Sequence, residues 1–171
     1  MAAGEALARA QAAARNLEAA LGDDVAAVVL VGSAVLDDWR PAGSDVDLLV
    51  VTRRDLSGSE RTAGRRAMGR GVDPQFASYA DILTAPRTLD LAIALKTFAQ
   101  SGVVVSGEAP SPRAVDRMVL DRLLIANLVT YWSRWNRDVR RPLSLRWWMM
   151  FGSWAPAWCL LGVARIARTL E

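Results

Sequence analysis

The stretch VVLVGSAVLDDWRPAGSDVDLLVV, residues 28–51, decides the fold of this chain. It contains two apolar runs that are rich in Val and Leu, one before Gly32 and one after Asp45, and a polar loop with a proline and a glycine separates them. A continuous, β-branched apolar run is typical of a strand that is buried on both faces. We therefore predict two strands, at residues 25–31 and 45–52.

Four residues at the ends of these strands carry the chemistry. Gly32 and Ser33 close the first strand, whereas Asp45 and Asp47 open the second. Residues i and i+2 of a strand point to the same face, so the two carboxylates are expected to lie side by side at the edge of the sheet. Carboxylates this close repel each other, and a divalent cation relieves the repulsion. Oxygen ligands favour magnesium or manganese.

The glycine at position 32 is suited to phosphate binding because it lets the backbone approach a phosphate closely. The N–H groups of Gly32 and Ser33 and the Ser33 hydroxyl can donate to phosphate oxygens, and Ser44 and Arg40 of the loop are further candidates for binding a nucleotide. A strand that ends in Gly-Ser, and an Asp-Xaa-Asp turn, are each common without any function. Their combination favours a functional site, because an unpaired Asp47 within an apolar strand would be costly to bury.

Composition excludes several other chemistries. The 171 residues include no histidine, which excludes Ser-His-Asp and Cys-His catalysis and zinc bound by histidine. The single cysteine, Cys159, cannot form an internal disulfide and fits a reducing cytoplasm. The formal net charge of +3 is too small to indicate a nucleic-acid partner. Carboxylate-bound magnesium is the chemistry that this composition favours.

The rest of the chain predicts an α/β (α+β) fold with a small mixed sheet, flanking helices and a partial helical bundle. Residues 1–110 form the predicted sheet domain and residues 111–171 a helical region that is apparently incomplete. The predicted helices lie at residues 2–21, 59–70, 89–101, 112–137 and from 144 past Pro156, and the further strands at 76–80 and 103–105. Nothing resembles a signal peptide. The uncharged stretch 147–164 predicts a buried or interface helix pair rather than a membrane span, since Gly152 and Pro156 interrupt it.

The segment GSAVLDDWRPAGSDVDLLVV resembles the signature of the nucleotidyltransferase superfamily that includes DNA polymerase β: Gly-Gly or Gly-Ser, a loop, then Asp-hydrophobic-Asp. Together with residues 90–110 and 154–171 it is similar to the aminoglycoside adenylyltransferases of the streptomycin/spectinomycin type. The resemblance implies the transfer of a nucleoside monophosphate from a nucleoside triphosphate, ATP by family default, to a hydroxyl group. It also implies two magnesium ions held by Asp45 and Asp47.

The superfamily carries a third carboxylate on a neighbouring strand, where it helps to bind metal and activates the acceptor hydroxyl. Asp73 is the candidate for this role, since it comes just before the strand predicted at residues 76–80. Asp81, at the far end of that strand, is the alternative. Asp73 with Pro74 can equally be interpreted as a turn without function.

The acceptor is left open by the sequence. A small hydroxylated molecule such as an aminoglycoside is one hypothesis, and a protein, as for nucleotidyltransferases of the antitoxin type, is the second. The third is a nucleotide-binding module without catalysis. Residues 143–170 are apolar and rich in tryptophan, so we expect a second copy, a partner protein or further residues to cover them. The arginines between residues 53 and 70 predict a solvated helix face.

Overall fold

The computed structural model describes residues 2–41, 43–152, 155–156, 159 and 162 of the chain. The chain divides into two compact units, residues 1–116 and 117–171. The first unit contains a four-stranded mixed sheet with helices packed on it, which confirms the predicted mixed α and β fold. The segment between Gly107 and Arg117, where we predicted the domain boundary, contains neither helix nor strand.

The sheet consists of β1 (Val25–Leu30), β2 (Val46–Thr52), β3 (Val72–Ser78) and β4 (Val103–Gly107). Its order is β3-β2-β1-β4. β1 runs antiparallel to both β2 and β4, whereas β2 and β3 are parallel. β1 and β2 are therefore the central strands of the sheet.

Helices cover both faces of this sheet, which explains why the central strands are apolar at nearly every position. Residues of α1 (Ala2–Leu21) and α2 (Gly58–Met68) share one buried cluster with Val46 and Leu48. Residues of α3 (Tyr79–Leu83) and α4 (Leu89–Ser101) share the other with Leu49. Side chains alternate along a strand, so Asp47 belongs to the same face as Leu49.

The prediction for β3 was wrong in its bounds. The predicted strand covered residues 76–80, whereas β3 spans Val72–Ser78 and includes Pro74. Proline has no N–H to donate to a neighbouring strand and is tolerated where the strand lies at the edge of a sheet. β3 is such an edge strand, so Pro74 does not interrupt it. By contrast, the bounds of α1 and α4 agree with the prediction.

The connection from β2 to α2 is fixed by polar contacts. Ser57 and Glu60 form a capping box, in which each side chain accepts a hydrogen bond from the other residue's backbone N–H. Arg54 donates hydrogen bonds to Glu60 at 2.8 Å and to Asp24 at 2.6 Å. The hydrogen bond from Arg54, together with those from Ser57, lowers the pKa of Glu60 to about 2. The capping box begins α2 one residue before its predicted start.

Gly64 of α2 faces side chains of α1 and β3, and a larger residue there is expected to destabilise the fold. A Cβ atom on Gly64 would lie 3.0 Å from both Leu17 Cδ1 and Phe76 Cζ. We expect Gly64→Leu to lower the free energy of unfolding by about 1–3 kcal/mol through overpacking. Urea denaturation measures the change. Gly58→Leu is the matched control, because a Cβ on Gly58 meets nothing within 4 Å. Equal losses of stability in the two variants would contradict the close packing of Gly64 against Leu17 and Phe76.

The second unit contains α5 (Arg117–Asn127), a π-helical turn (Leu128–Trp132), α6 (Ser133–Val139) and α7 (Leu145–Met149). The helix predicted at 112–137 therefore begins later than expected. Ser144 caps α7, next to the predicted start of that helix, since its side chain accepts a hydrogen bond from the Trp147 N–H at 3.1 Å. The predicted continuation past Pro156 lies largely outside the described residues. In the described part of the chain, no helix is both long and apolar enough to span a membrane.

Candidate active site

Gly32 ends β1 because its backbone adopts the left-handed conformation, with φ of +70°. A four-residue 3-10 turn, Gly32–Val35, follows in place of a longer helix. The Ser33 carbonyl closes this turn by accepting the N–H groups of Leu36 at 3.2 Å and Asp38 at 3.1 Å. The chain thus reverses immediately after the strand, and Ser33 stays partly accessible at the edge of the sheet.

Asp47 lies directly against Gly32. The N–H of Val31 donates to the Asp47 carbonyl at 3.0 Å, so the two segments are adjacent along their backbones. A Cβ atom added to Gly32 would lie 2.6 Å from Asp47 Cγ and would overlap the carboxylate. Position 32 therefore requires glycine for two independent reasons: its positive φ and the carboxylate beside it.

Asp73 lies beside Asp47 on the neighbouring strand. In the parallel pairing of β2 with β3, Asp47 and Asp73 are direct partners. Paired residues on adjacent strands project to the same face, about 5 Å apart. Asp45 lies two residues before Asp47, just outside β2. The backbone thus brings the three predicted carboxylates to one end of two adjacent strands.

The side chains of these three aspartates do not converge on one point. Among the described residues, no group of three or more His, Cys, Asp or Glu side chains is arranged to hold a metal ion. Asp73 instead forms an ion pair with Arg65 of α2, with 3.7 Å between Oδ1 and Nη1. Both side chains of this pair are more than half exposed.

Asp81, the alternative third carboxylate, lies at the other end of the sheet. It follows β3, whereas Asp73 is near its start, and the five steps from Asp73 to Ser78 span about 16 Å. Asp81 also has a structural task, since its carboxylate accepts hydrogen bonds from the Ser78 N–H at 2.9 Å and hydroxyl at 2.8 Å. Asp81 is therefore the capping-box partner of Ser78, the N-cap residue of α3.

Arg40 and Ser44 belong to a closed turn between the two motifs. The Arg40 N–H donates to the Ser44 hydroxyl oxygen at 3.2 Å, and the Ser44 N–H donates to the Arg40 carbonyl at 2.9 Å. The Arg40 side chain is exposed. These contacts fix the backbone next to Asp45, and in them the Ser44 hydroxyl oxygen acts as an acceptor.

Sequence reasoning missed three residues that contact the segment around Asp45. Trp39, Arg9 and Gly71 lie next to this segment, although they come from a loop, from α1 and from the turn before β3. Trp39 gave a weak signal, as a lone aromatic residue within a polar loop. Arg9 gave none, because it is one of several charged residues on a helix.

Comparison of the sequence with known protein families identifies the family of this chain. Residues 14–97 match the family model for the nucleotidyltransferase domain. The chain contains a nucleotidyltransferase domain. The matched span runs from within α1 to within α4 and includes Gly32, Ser33 and all three aspartates of the candidate site. The chain is accordingly a nucleotidyltransferase, an enzyme that transfers nucleotides, and the superfamily resemblance drawn from the sequence is confirmed.

Solved structures that are similar to this nucleotidyltransferase include three toxin–antitoxin crystal structures. They are a crystal structure of a toxin–antitoxin with AMP-PNP, with 13% identity, and two of mutants of the toxin–antitoxin MntA-HpeT, with 12% and 13% identity. The matches cover 72%, 72% and 71% of this chain and 91%, 91% and 88% of the other chains, with TM-scores of 0.41, 0.41 and 0.35. A search of curated protein sequences found no match. Because these sequence identities and TM-scores are low, the assignment of this chain to the nucleotidyltransferases depends on the match to the family model.

Proposed function

We propose that the chain transfers a nucleoside monophosphate from ATP to an acceptor hydroxyl, with release of pyrophosphate and dependence on two magnesium ions. The observation that carries the proposal is the register of β2 and β3, in which Asp47 and Asp73 are direct partners beside Gly32. Asp45, two residues earlier, adds a third carboxylate at the same end of the strands. ATP as the donor follows from the family resemblance.

The side chains at this end of the sheet are of the chemical type that binds magnesium. Asp45, Asp47 and Asp73 would hold it, and their oxygen donors match its preference. Because residue 32 has no side chain, no Cβ atom overlaps the Asp47 carboxylate. When bound, magnesium supplies positive charge against the developing charge of the transferred phosphoryl group. Asp73 can turn from Arg65 toward this site, since an exposed ion pair of this kind contributes little to stability.

Each remaining residue of the site has a role in this proposal. Gly32 lets the triphosphate approach the backbone, and the Ser33 N–H and hydroxyl donate to its β- and γ-phosphates. Ser44 and Arg40 contribute a hydroxyl and a positive charge from the adjacent turn. Asp73 accepts the proton of the acceptor hydroxyl as that oxygen attacks the α-phosphorus and pyrophosphate leaves.

Two acceptor classes are supported by different observations. The sequence resemblance to aminoglycoside adenylyltransferases supports a small hydroxylated acceptor such as an aminoglycoside. The second unit supports a protein acceptor, because Met118, Ile125 and Val129 are 72%, 61% and 66% exposed. Exposed apolar side chains on one helical segment favour contact with a protein, which includes a second copy of this chain.

The single cysteine supports a cytoplasmic site of action.

Labelled ATP distinguishes these acceptors and tests the reaction. The chain is incubated with magnesium and with ATP labelled at the α- or the γ-phosphate, with aminoglycosides or with lysate proteins. We expect the α-label to appear on one acceptor class and the γ-label in pyrophosphate. Transfer of the γ-label to an acceptor would mean phosphoryl rather than nucleotidyl transfer. Absence of transfer from either label, alongside unimpaired ATP binding, would favour the non-catalytic module.

A further inference from the structure

We infer that Trp39 and Arg9 are positioning residues, which hold the backbone of Asp45 and thereby aim its carboxylate at the metal. This inference rests on the proposed function, since it assigns a task to residues around the same site. Neither residue is part of the Gly-Ser or Asp-Xaa-Asp motif, and neither is placed in contact with the reacting groups.

Trp39 fixes the carbonyl of Asp45. Its indole N–H donates to the Asp45 carbonyl oxygen at 3.2 Å. The side chain is only 5% exposed and packs within the cluster that includes residues of α1. Close packing holds a buried aromatic side chain in one rotamer well, which restricts the direction of the hydrogen bond that it donates. The loop before β2 is thus anchored to the core at the residue that precedes the strand.

Arg9 supports the same segment from α1. Its guanidinium lies over the Trp39 ring, 5.8 Å from the centroid, and its Nη2 donates to the Gly71 carbonyl at 3.4 Å. The Gly71 carbonyl also accepts the N–H of Val46 at 2.9 Å. Trp39 therefore holds the Asp45 carbonyl, while Gly71, contacted by Arg9, holds the next N–H along the chain.

Asp45 requires this support because it lies outside β2. From Val46 onward the backbone pairs with β3, and from Leu48 onward with β1 as well, so those residues are fixed by the sheet itself. Asp45 is exposed and precedes this pairing. Magnesium demands a strict ligand geometry, and groups that orient a metal ligand typically change metal affinity 10- to 100-fold when they are removed.

Manganese affinity, measured by electron paramagnetic resonance without nucleotide, tests the inference. Trp39→Phe removes the indole N–H and keeps an aromatic ring under Arg9. We expect the Kd for Mn²⁺ to rise about 10-fold, and a smaller rise for Arg9→Met, which retains the Trp39 indole N–H as a donor to Asp45. Trp148→Phe, at a 56% exposed tryptophan of the second unit, is the matched control and is expected to leave the Kd unchanged.

The outcome separates positioning from folding and from the proposed function itself. Partial unfolding lowers the number of Mn²⁺ sites per chain, whereas a misplaced carboxylate raises the Kd at full stoichiometry. Wild-type Mn²⁺ affinity in both Trp39→Phe and Arg9→Met would overturn the inference and leave the proposed function standing. If Asp45→Asn binds Mn²⁺ as well as the wild type, the proposed metal site is itself wrong, and the inference fails with it.

Discussion

Replacing Asp47 with asparagine is expected to abolish nucleotide transfer while the fold remains intact. Asp47 is the carboxylate nearest Gly32 and the direct partner of Asp73, so every proposed position of the metal includes it. Asparagine keeps the size of the side chain and removes its charge. We expect pyrophosphate release to fall by at least about 10²–10³-fold, the range seen when one electrostatic contact to a transition state is removed.

The matched control for this prediction is Asp55→Asn. Asp55 is an exposed residue of the loop between β2 and α2, and its replacement is expected to leave the rate unchanged. Circular dichroism and the thermal midpoint check that both variants are folded. Pyrophosphate release at the wild-type rate by Asp47→Asn would mean that the carboxylate pair at the start of β2 is not the catalytic centre.

A valine at position 32 is expected to remove triphosphate binding. Its Cβ would overlap the Asp47 carboxylate, and its methyl groups would fill the space that a phosphate occupies in the proposed complex. We expect the Kd for ATP with magnesium to rise at least about 10-fold, which corresponds to about 1.4 kcal/mol. Isothermal titration calorimetry measures this Kd directly.

Valine also strains the backbone at a positive φ, so a control must carry the same strain away from the site. Gly22 has φ of +57°, and a Cβ there meets nothing within 4 Å. Gly22→Val is expected to lose stability and to keep its affinity for ATP. If either valine variant fails to fold, the alanine pair Gly32→Ala and Gly22→Ala makes the same comparison. Equal ATP affinities of the variants at positions 32 and 22 would mean that the phosphates do not bind beside Gly32.

Much of the first unit could be predicted because its signals are local. The central strands β1 and β2 are buried on both faces, so their apolar runs are long and unbroken. Helices α1 and α4 have strong apolar periodicity, and their bounds agree with the prediction. The pair Asp45 and Asp47 stands out because it interrupts such a run at its start. In these elements, the residues that form the apolar pattern of the sequence are the residues that are buried in the structure.

The features that the sequence did not predict depend on contacts between residues that are far apart in the sequence. Pro74 indicated a turn, and only the position of β3 at the edge of the sheet makes a strand possible there. The pairing of Asp47 with Asp73 follows from the parallel register, which no local pattern specifies. The contact of Arg9 with Gly71 joins residues 62 positions apart. Tertiary packing decides such features, and residue type alone does not.

Calorimetric titration of the chain with ATP, with and without magnesium, tests the central claim most directly. The claim is that Asp45 and Asp47 hold the metal through which the triphosphate binds. The wild-type chain is compared with the double variant Asp45→Asn, Asp47→Asn, whose fold is verified beforehand. We expect the wild type to bind ATP only when magnesium is present and the double variant to lose this dependence together with most of its affinity. Equal ATP–magnesium affinity in the two proteins would contradict the assignment of the site.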